Sequence, residues 1–311
     1  MVPRTEDRTG GRTGTADRPT RVVVGYDGSS SADEALAAGI EQARETGAPL
    51  HVLSAVETPD RAPASETAYR RASVEAVTRA LDRAAAVLGE NRVTSVVEPG
   101  SPSAVLLAHT EPQDLLVVGS HGHRPVARML LGSTSTAVAA HARCPVLVVR
   151  GPRMRSRGPV VVGVDGSPAS SVAVACAARV AEREGATLRA VMALSPVTDA
   201  LGFVSGPEDP EITQAQALLS EAVARVPLEH PGLHLEQVLT QTHPVEALLR
   251  HSRGARLVVV GTRGLGGIEA MLLGSVSREV LHHASCPVLV VRGATTSGDA
   301  GGSPTVLAAT A

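Results

Sequence analysis

Two stretches of this 311-residue chain repeat each other, and that duplication limits its possible folds more than any other feature. Arg21–Ser31 reads RVVVGYDGSSS and Pro159–Ser167 reads PVVVGVDGS, with Asp27 and Asp165 standing 138 positions apart. Farther on, LLVVGSHGHRPVARMLLGSTS (Leu115–Ser135) returns as LVVVGTRGLGGIEAMLLGSVS (Leu257–Ser277) at an offset of 142. ARCPVLVVRG ending at Gly151 returns as ASCPVLVVRG ending at Gly293 at the same offset. The second copy has therefore gained four residues. Ala48 and Ala186 keep the smaller offset and Pro102 and Pro244 the larger, so the insertion falls between them, in a variable part that includes Pro196–Pro210. Self-similarity of this kind means two copies of one domain, and the length suits roughly two domains of about 150 residues.

Within each copy, short β-branched runs alternate with helical patterns. The first predicts a strand at Val22–Gly25 and a helix over Ser29–Gly47, opened by a Ser/Asp cap cluster and closed by Gly47. Strands Leu50–Val56 and Val93–Val97 flank a long Ala-rich helix, Glu66–Leu88. A short helix Pro102–Thr110, a strand Leu115–Val118, a helix Thr134–His141 and a strand Val146–Val149 complete the set. The second copy repeats the order from Val160–Val162 to Val288–Val291. Such alternation builds βαβ units, hence an α/β doubly wound parallel sheet. The domains are expected at 21–151 and 159–293, with a linker at 152–158 and disordered tails at 1–20 and 294–311. The connector's Arg153, Arg155 and Arg157 read as a solvated linker.

All 29 basic side chains are arginine, because the chain has no lysine. That excludes a P-loop NTPase, a protein kinase of the usual pattern and a pyridoxal Schiff base. A net charge of -2 and an aromatic fraction of 1% leave no footprint for nucleic acid or an anionic membrane. No apolar run approaches a membrane span. Met1–Thr20 lacks the apolar core of a secretory signal. Three sparse cysteines (Cys144, Cys176, Cys286) fit a reducing compartment, so a cytoplasmic location is expected. Cys144 and Cys286 read as packed small hydrophobes, and His282-His283 as a solvated helix face.

The chemistry points to the loops after the first and fourth strands. The fourth-strand pattern is G-x2-G-x9-G-S, supplied by Gly119, Gly122, Gly132 and Ser133 and again by Gly261, Gly264, Gly274 and Ser275. Glycines let the backbone approach a ligand, and the helix that follows presents free N–H groups to phosphate. Ser133, Thr134 and Ser135, and Ser275, Val276 and Ser277, stand at that helix start, so amides and hydroxyls can hold phosphate without lysine. Arg263 adds a cation in the second copy, where the first has His121, half of an H-x-H pair with His123 that is weighed as a metal or phosphate contact. Asp27 and Asp165, in the loops opened by Gly25 and Gly163, end the first strands. In the strand order 3-2-1-4-5 these loops would face each other across the switch-point crevice. Purely structural turns, or a plain helix-cap role for the two aspartates, stand as alternatives.

These residues resemble those of the universal stress protein family, in its tandem two-domain form. The likeness runs from Arg21 to Gly293 and rests on V-G-x-D-G-S, on G-x2-G-x9-G-[ST] in both copies and on C-P-V-L-V-V. It implies two flavodoxin-like, adenine-nucleotide α-hydrolase-like domains, each a five-stranded parallel sheet in the order 3-2-1-4-5. It further implies ATP as ligand, Mg2+ being left open, with Asp27 and Asp165 toward adenosine and the glycine loops toward ribose and phosphates. By the same analogy Val52 packs on adenine, as does the smaller Ala190 in the second copy. His123-Arg124-Pro125 replaces Leu265-Gly266-Gly267 and reshapes the first phosphate loop. The resemblance also pairs the two halves through their last strands as an intramolecular pseudo-dimer, with whole-chain homodimerisation open and a protein partner unnamed. The function implied is a nucleotide-dependent stress-response regulator without fast catalysis. A slow divalent-metal-dependent ATPase, and a scaffold in which nucleotide is only structural, stand as alternatives.

Overall fold

A computed structural model describes residues 18–57, 63–122, 131–150, 157–195, 210–262, 264 and 273–293. The first half runs β1 (Val22–Gly25), α1 (Ser30–Thr46), β2 (Leu50–Val56), α2 (Pro63–Leu88), β3 (Val93–Pro99), α3 (Pro102–Ala108), β4 (Leu115–Gly119), α4 (Ser133–His141) and β5 (Val146–Val149). The second runs β6 (Val160–Gly163), α5 (Pro168–Arg183), β7 (Leu188–Ala193), α6 (Pro210–Val223), α7 (Val226–Glu229), β8 (Leu235–Thr240), α8 (Pro244–Ser252), β9 (Leu257–Gly261), α9 (Ser275–His283) and β10 (Val288–Val291). Differences from the sequence reading fall at the ends of elements, β3 running on to Pro99 rather than stopping at Val97. The helix α2 starts at Pro63 rather than Glu66, proline suiting the first helical position. Short α7 in the second half was not foreseen. The expected tails up to residue 17 and from residue 294, and most of the linker, lie outside the described residues.

The first strands are buried on both faces, as parallel strands between helix layers must be. Val22, Val24 and Val52 pack toward the α1 and α2 layer, while Val23, Leu53 and Leu106 join the core on the α3 and α4 side. Polar chemistry sets where α1 begins and ends: Ser29 Oγ accepts from the Ala32 amide at 3.1 Å, and Gly47 closes it in the left-handed region at φ 76°. Ser167 caps α5 in the same way.

Strand order in each half is 3-2-1-4-5, but the two sheets are not separate. They form one ten-stranded sheet, β3-β2-β1-β4-β5-β10-β9-β6-β7-β8, parallel throughout except where β5 meets β10 antiparallel. Pairing edge to edge removes two valine-rich edges that would otherwise template aggregation. Leu147 lies opposite Leu289, its own counterpart at the 142 offset, so a local twofold axis passes through this pair. Charge breaks the symmetry nearby. Glu45 stands in the last turn of α1, and its counterpart Arg183, 138 positions on, ends α5. Burial pushes the Glu45 carboxyl up to about 7, Glu41 adds to the rise, and Arg183 and Arg44 oppose it. Counterparts of opposite sign let the halves meet where two identical copies would bring like charges together.

On the same helix Gln42 is wholly buried, and neither amide atom has a hydrogen-bond partner among the described residues. Its counterpart Val180 is equally buried and apolar. Gln42→Leu is expected to stabilise the chain by about 1–2 kcal/mol, because it removes a desolvated amide at similar volume. A rise in the urea midpoint at unchanged m-value would show it.

Candidate functional site

A cavity of about 270 Å³ opens in the first half, over the carboxyl ends of β1, β2 and β4. Its apolar wall is Leu53, Ala55, Val105, Leu106 and Val118, and its polar side carries Asp27, Glu57 and His121. Of the residues read from the first copy, Gly25, Asp27, Gly119 and Gly122 line it, as do Gly132 and Ser133 to Ser135 at the start of α4. The two distant loops therefore converge, as a switch-point crevice requires.

Each loop is fixed by local bonds. Asp27 Oδ1 accepts from the Ser29 amide at 2.9 Å, and Asp165 Oδ1 from the Ser167 amide at 2.9 Å. These turns deliver the serines, not the aspartates, to the helix caps. The other oxygen of Asp27 faces the glycine loop: a Cβ on Gly122 would stand 2.6 Å from Asp27 Oδ2. Behind the loop, a Cβ on Gly119 would stand 2.6 Å from the Ser31 carbonyl oxygen, so only glycine lets β4 end against α1. The Gly132 amide donates to the Ser120 carbonyl at 2.8 Å. The α4 helix then starts without a side-chain cap, its N-cap being Gly132. The first N–H groups of a helix have no intrahelical partner, and here they lie on the cavity.

Nearby groups are tuned by burial. The Glu34 carboxyl on α1 is raised by burial, with His121 pulling the other way. The Tyr26 phenol is raised by burial and by the 2.9 Å hydrogen bond it donates to Asp33. The hydroxyl of Ser120 and Nδ1 of His121 share a hydrogen bond at 2.7 Å, which orients the imidazole.

The second half repeats the frame. Gly163 and Asp165 end β6; Gly261 ends β9, with a Cβ there standing 2.9 Å from Ala169 Cβ. A Cβ on Gly264 would collide with Asp165 Oδ2, so these loops also face each other. Gly274 caps α9, again without a side-chain bond, and its amide donates to Thr262 O at 2.7 Å. Ser275, Val276 and Ser277 form the first turn of α9. Arg263 and the segment His123-Arg124-Pro125 fall outside the described residues.

Two expectations are corrected. Val52 does not face the cavity: it is wholly buried in the α1 and α2 core, and the neighbouring Leu53, opposite Gly25 in the sheet, lines the crevice instead. Ala190 is displaced likewise, and Val191 takes the face that Leu53 occupies. A one-residue slip along a strand moves a side chain to the other face. The hydroxyls of Ser135 and Ser277 are engaged elsewhere than at a ligand, donating to the carbonyls of Gly119 and Gly261 at 2.6 Å each. They hold the glycine loop against the helix. Tyr26, Leu53 and Glu57 join the site only in the structure, and His121, weighed from sequence as a metal or phosphate contact, also lines it. No motif in the sequence marks the other three.

Fold and crevice define a duplicated, doubly wound α/β protein with a glycine loop and an acidic loop face to face at each switch point. The chain belongs to the universal stress protein family, whose profile matches residues 19–150 and again 157–292. Universal stress protein Rv2005c of Mycobacterium tuberculosis is 35% identical over 289 residues, 87% of this chain and 96% of that protein. Universal stress protein Rv2623 of the same species is 31% identical over 287 residues, with the same coverage. The crystal structure of a universal stress protein from Archaeoglobus fulgidus superposes with a TM-score of 0.68 at 18% identity, covering 89% of this chain and 97% of that one. This last likeness supports the fold.

Proposed function

We propose that each half holds one adenine nucleotide, ATP, and that the chain is a nucleotide-dependent stress-response regulator rather than a fast catalyst. The observation that carries this reading is the uncapped start of α4, opening with Gly119, Gly122 and Gly132 into the cavity opposite Asp27. Several converging amides at a helix start attract phosphate, each helix-terminus effect contributing about 0.3–1 kcal/mol. With no lysine in the chain, these amides and the Ser133 and Thr134 hydroxyls are the groups to hold the phosphates. The apolar wall of Leu53, Leu106 and Val118 suits the base, and Asp27 the ribose hydroxyls. Any Mg2+ would be carried by the phosphates, which leaves little protein signature.

Equilibrium dialysis with ATP tests the proposal. Two nucleotides per chain are expected; one would confine the reading to a single half, and a stoichiometry well below one would sink it. Phosphate release from bound ATP no faster than in a Gly122→Glu, Gly264→Glu double variant is the expected companion result, and steady turnover above that background would replace the reading with a slow ATPase.

A further inference from the structure

The seam between the halves carries two arginines in matching places. Arg150 follows β5, and Arg292, 142 positions on, follows β10. Each crosses to the other half. Arg292 donates from Nε to the Ala142 carbonyl at 3.1 Å and from Nη2 to the Ala140 carbonyl at 2.7 Å. Arg150 donates from Nη2 to the Leu281 carbonyl at 2.6 Å. The acceptors lie at the C-terminal ends of α4 and α9, the two helices whose other ends begin the glycine-loop sites. The last carbonyls of a helix lack intrahelical donors and carry its negative pole, and a guanidinium answers both needs.

Arg292 is also tied to the second glycine loop, because the Thr262 amide donates to the carbonyl of Val291 at 2.9 Å. One short stretch, Val291-Arg292, thus touches the second half's loop through its backbone and the first half's helix through its side chain. We infer that each half's loop helix is held in place by an arginine of the other half, Arg292 for α4 and Arg150 for α9, so that anion binding at one loop depends on a residue of the opposite domain. The inference rests on the nucleotide reading above. With nine residues, α4 is about 13 Å long. Losing the cation at its far end frees the helix to shift and leaves its negative pole unanswered. Both effects lower the attraction for phosphate at Ser133 and Thr134.

The two loops can be read separately in the full chain. Gly264→Glu silences the second loop and leaves the first to be titrated with ATP by calorimetry; Gly122→Glu does the converse. Arg292→Ala is expected to weaken ATP at the first loop about two- to five-fold, the size of a helix-terminus charge effect, and to leave the second unchanged. Arg150→Ala should do the reverse. Arg292→Lys, which keeps the charge, should recover part of the loss. If Arg292→Ala does not fold, Arg292→Gln, which keeps a donor but loses the charge, is titrated in its place with the same expectation. An equal effect on both loops, or on neither, would overturn the cross-anchoring while leaving the nucleotide reading intact. Absence of ATP binding by the unsubstituted chain would overturn both.

Discussion

Gly122→Glu is expected to remove nucleotide from the first half, weakening ATP there by at least about 100-fold, because like charges set against each other in a closed site cost several kcal/mol. Two effects act together. The new Cβ would stand 2.6 Å from Asp27 Oδ2, so the Asp loop must retreat from the crevice. The new carboxylate then enters the space where phosphate meets the α4 amides. Gly122→Ala isolates the first effect, and a smaller loss of about ten-fold is expected for it, since one methyl displaces a flexible carboxylate without adding charge. Calorimetry on both variants in a Gly264→Glu background separates the contributions. The loop lies at the surface of the half, with Gly122 exposed, so the thermal midpoint should stay within about a few degrees of the parent. Near-normal occupancy in a folded Gly122→Glu chain would remove the proposed site from this loop.

What could be read without coordinates depended on whether the information was local. The duplicated spacing announced two domains, and the glycine–strand–helix grammar put Gly119, Gly122 and Gly132 beside Asp27 once the strand order was assumed. The face of β2 was not legible. Its run, LHVLSAV, is apolar at both parities because both faces are buried, so no alternation says whether Val52 or Leu53 looks into the crevice. Only the pairing of Gly25 with Leu53 decides it. The role of Ser135 was equally hidden. A hydroxyl at a helix start suits a phosphate, yet its bond to the Gly119 carbonyl spans 16 residues and exists only after β4 and α4 have packed. Joining of the two sheets through their last strands was implied by the family resemblance. By contrast Arg150 and Arg292 read as ordinary strand ends, since their acceptors lie in the other copy more than a hundred residues away.

The copies also solved one packing problem with different charges, and this sets the second large effect. At the start of β9, Arg256 reaches Glu184, just past the end of α5, and both side chains are almost wholly buried, at 6% and 5% exposure. Their counterparts in the first half are Asp114 and Thr46. There the buried Asp114 turns instead to Arg21, at 2.6 Å, which is one-third exposed. Burial lowers the Arg256 pKa from its ordinary value, the mark of a cation kept from water. Glu184→Ala removes the carboxylate of this pair, with Glu45 the other acidic group acting on Arg256, and is expected to cost about 3 kcal/mol, the lower end of the range for breaking a buried ion pair from one side. Asp114→Ala should cost less, because water reaches Arg21. Arg71 and Glu75, four residues apart on α2 and largely in solvent, should differ from alanine by at most about 0.5 kcal/mol. The decisive comparison is the double variant Glu184→Leu, Arg256→Leu. If the penalty of Glu184→Ala comes from a buried charge left with weaker compensation, the double variant should regain most of the stability, since well-packed apolar replacements of buried ion pairs are often neutral or better. Urea unfolding of the single and double variants gives the answer. A double variant less stable than Glu184→Ala would mean that the pair itself, and not the avoidance of a weakly compensated buried cation, holds α5 to β9.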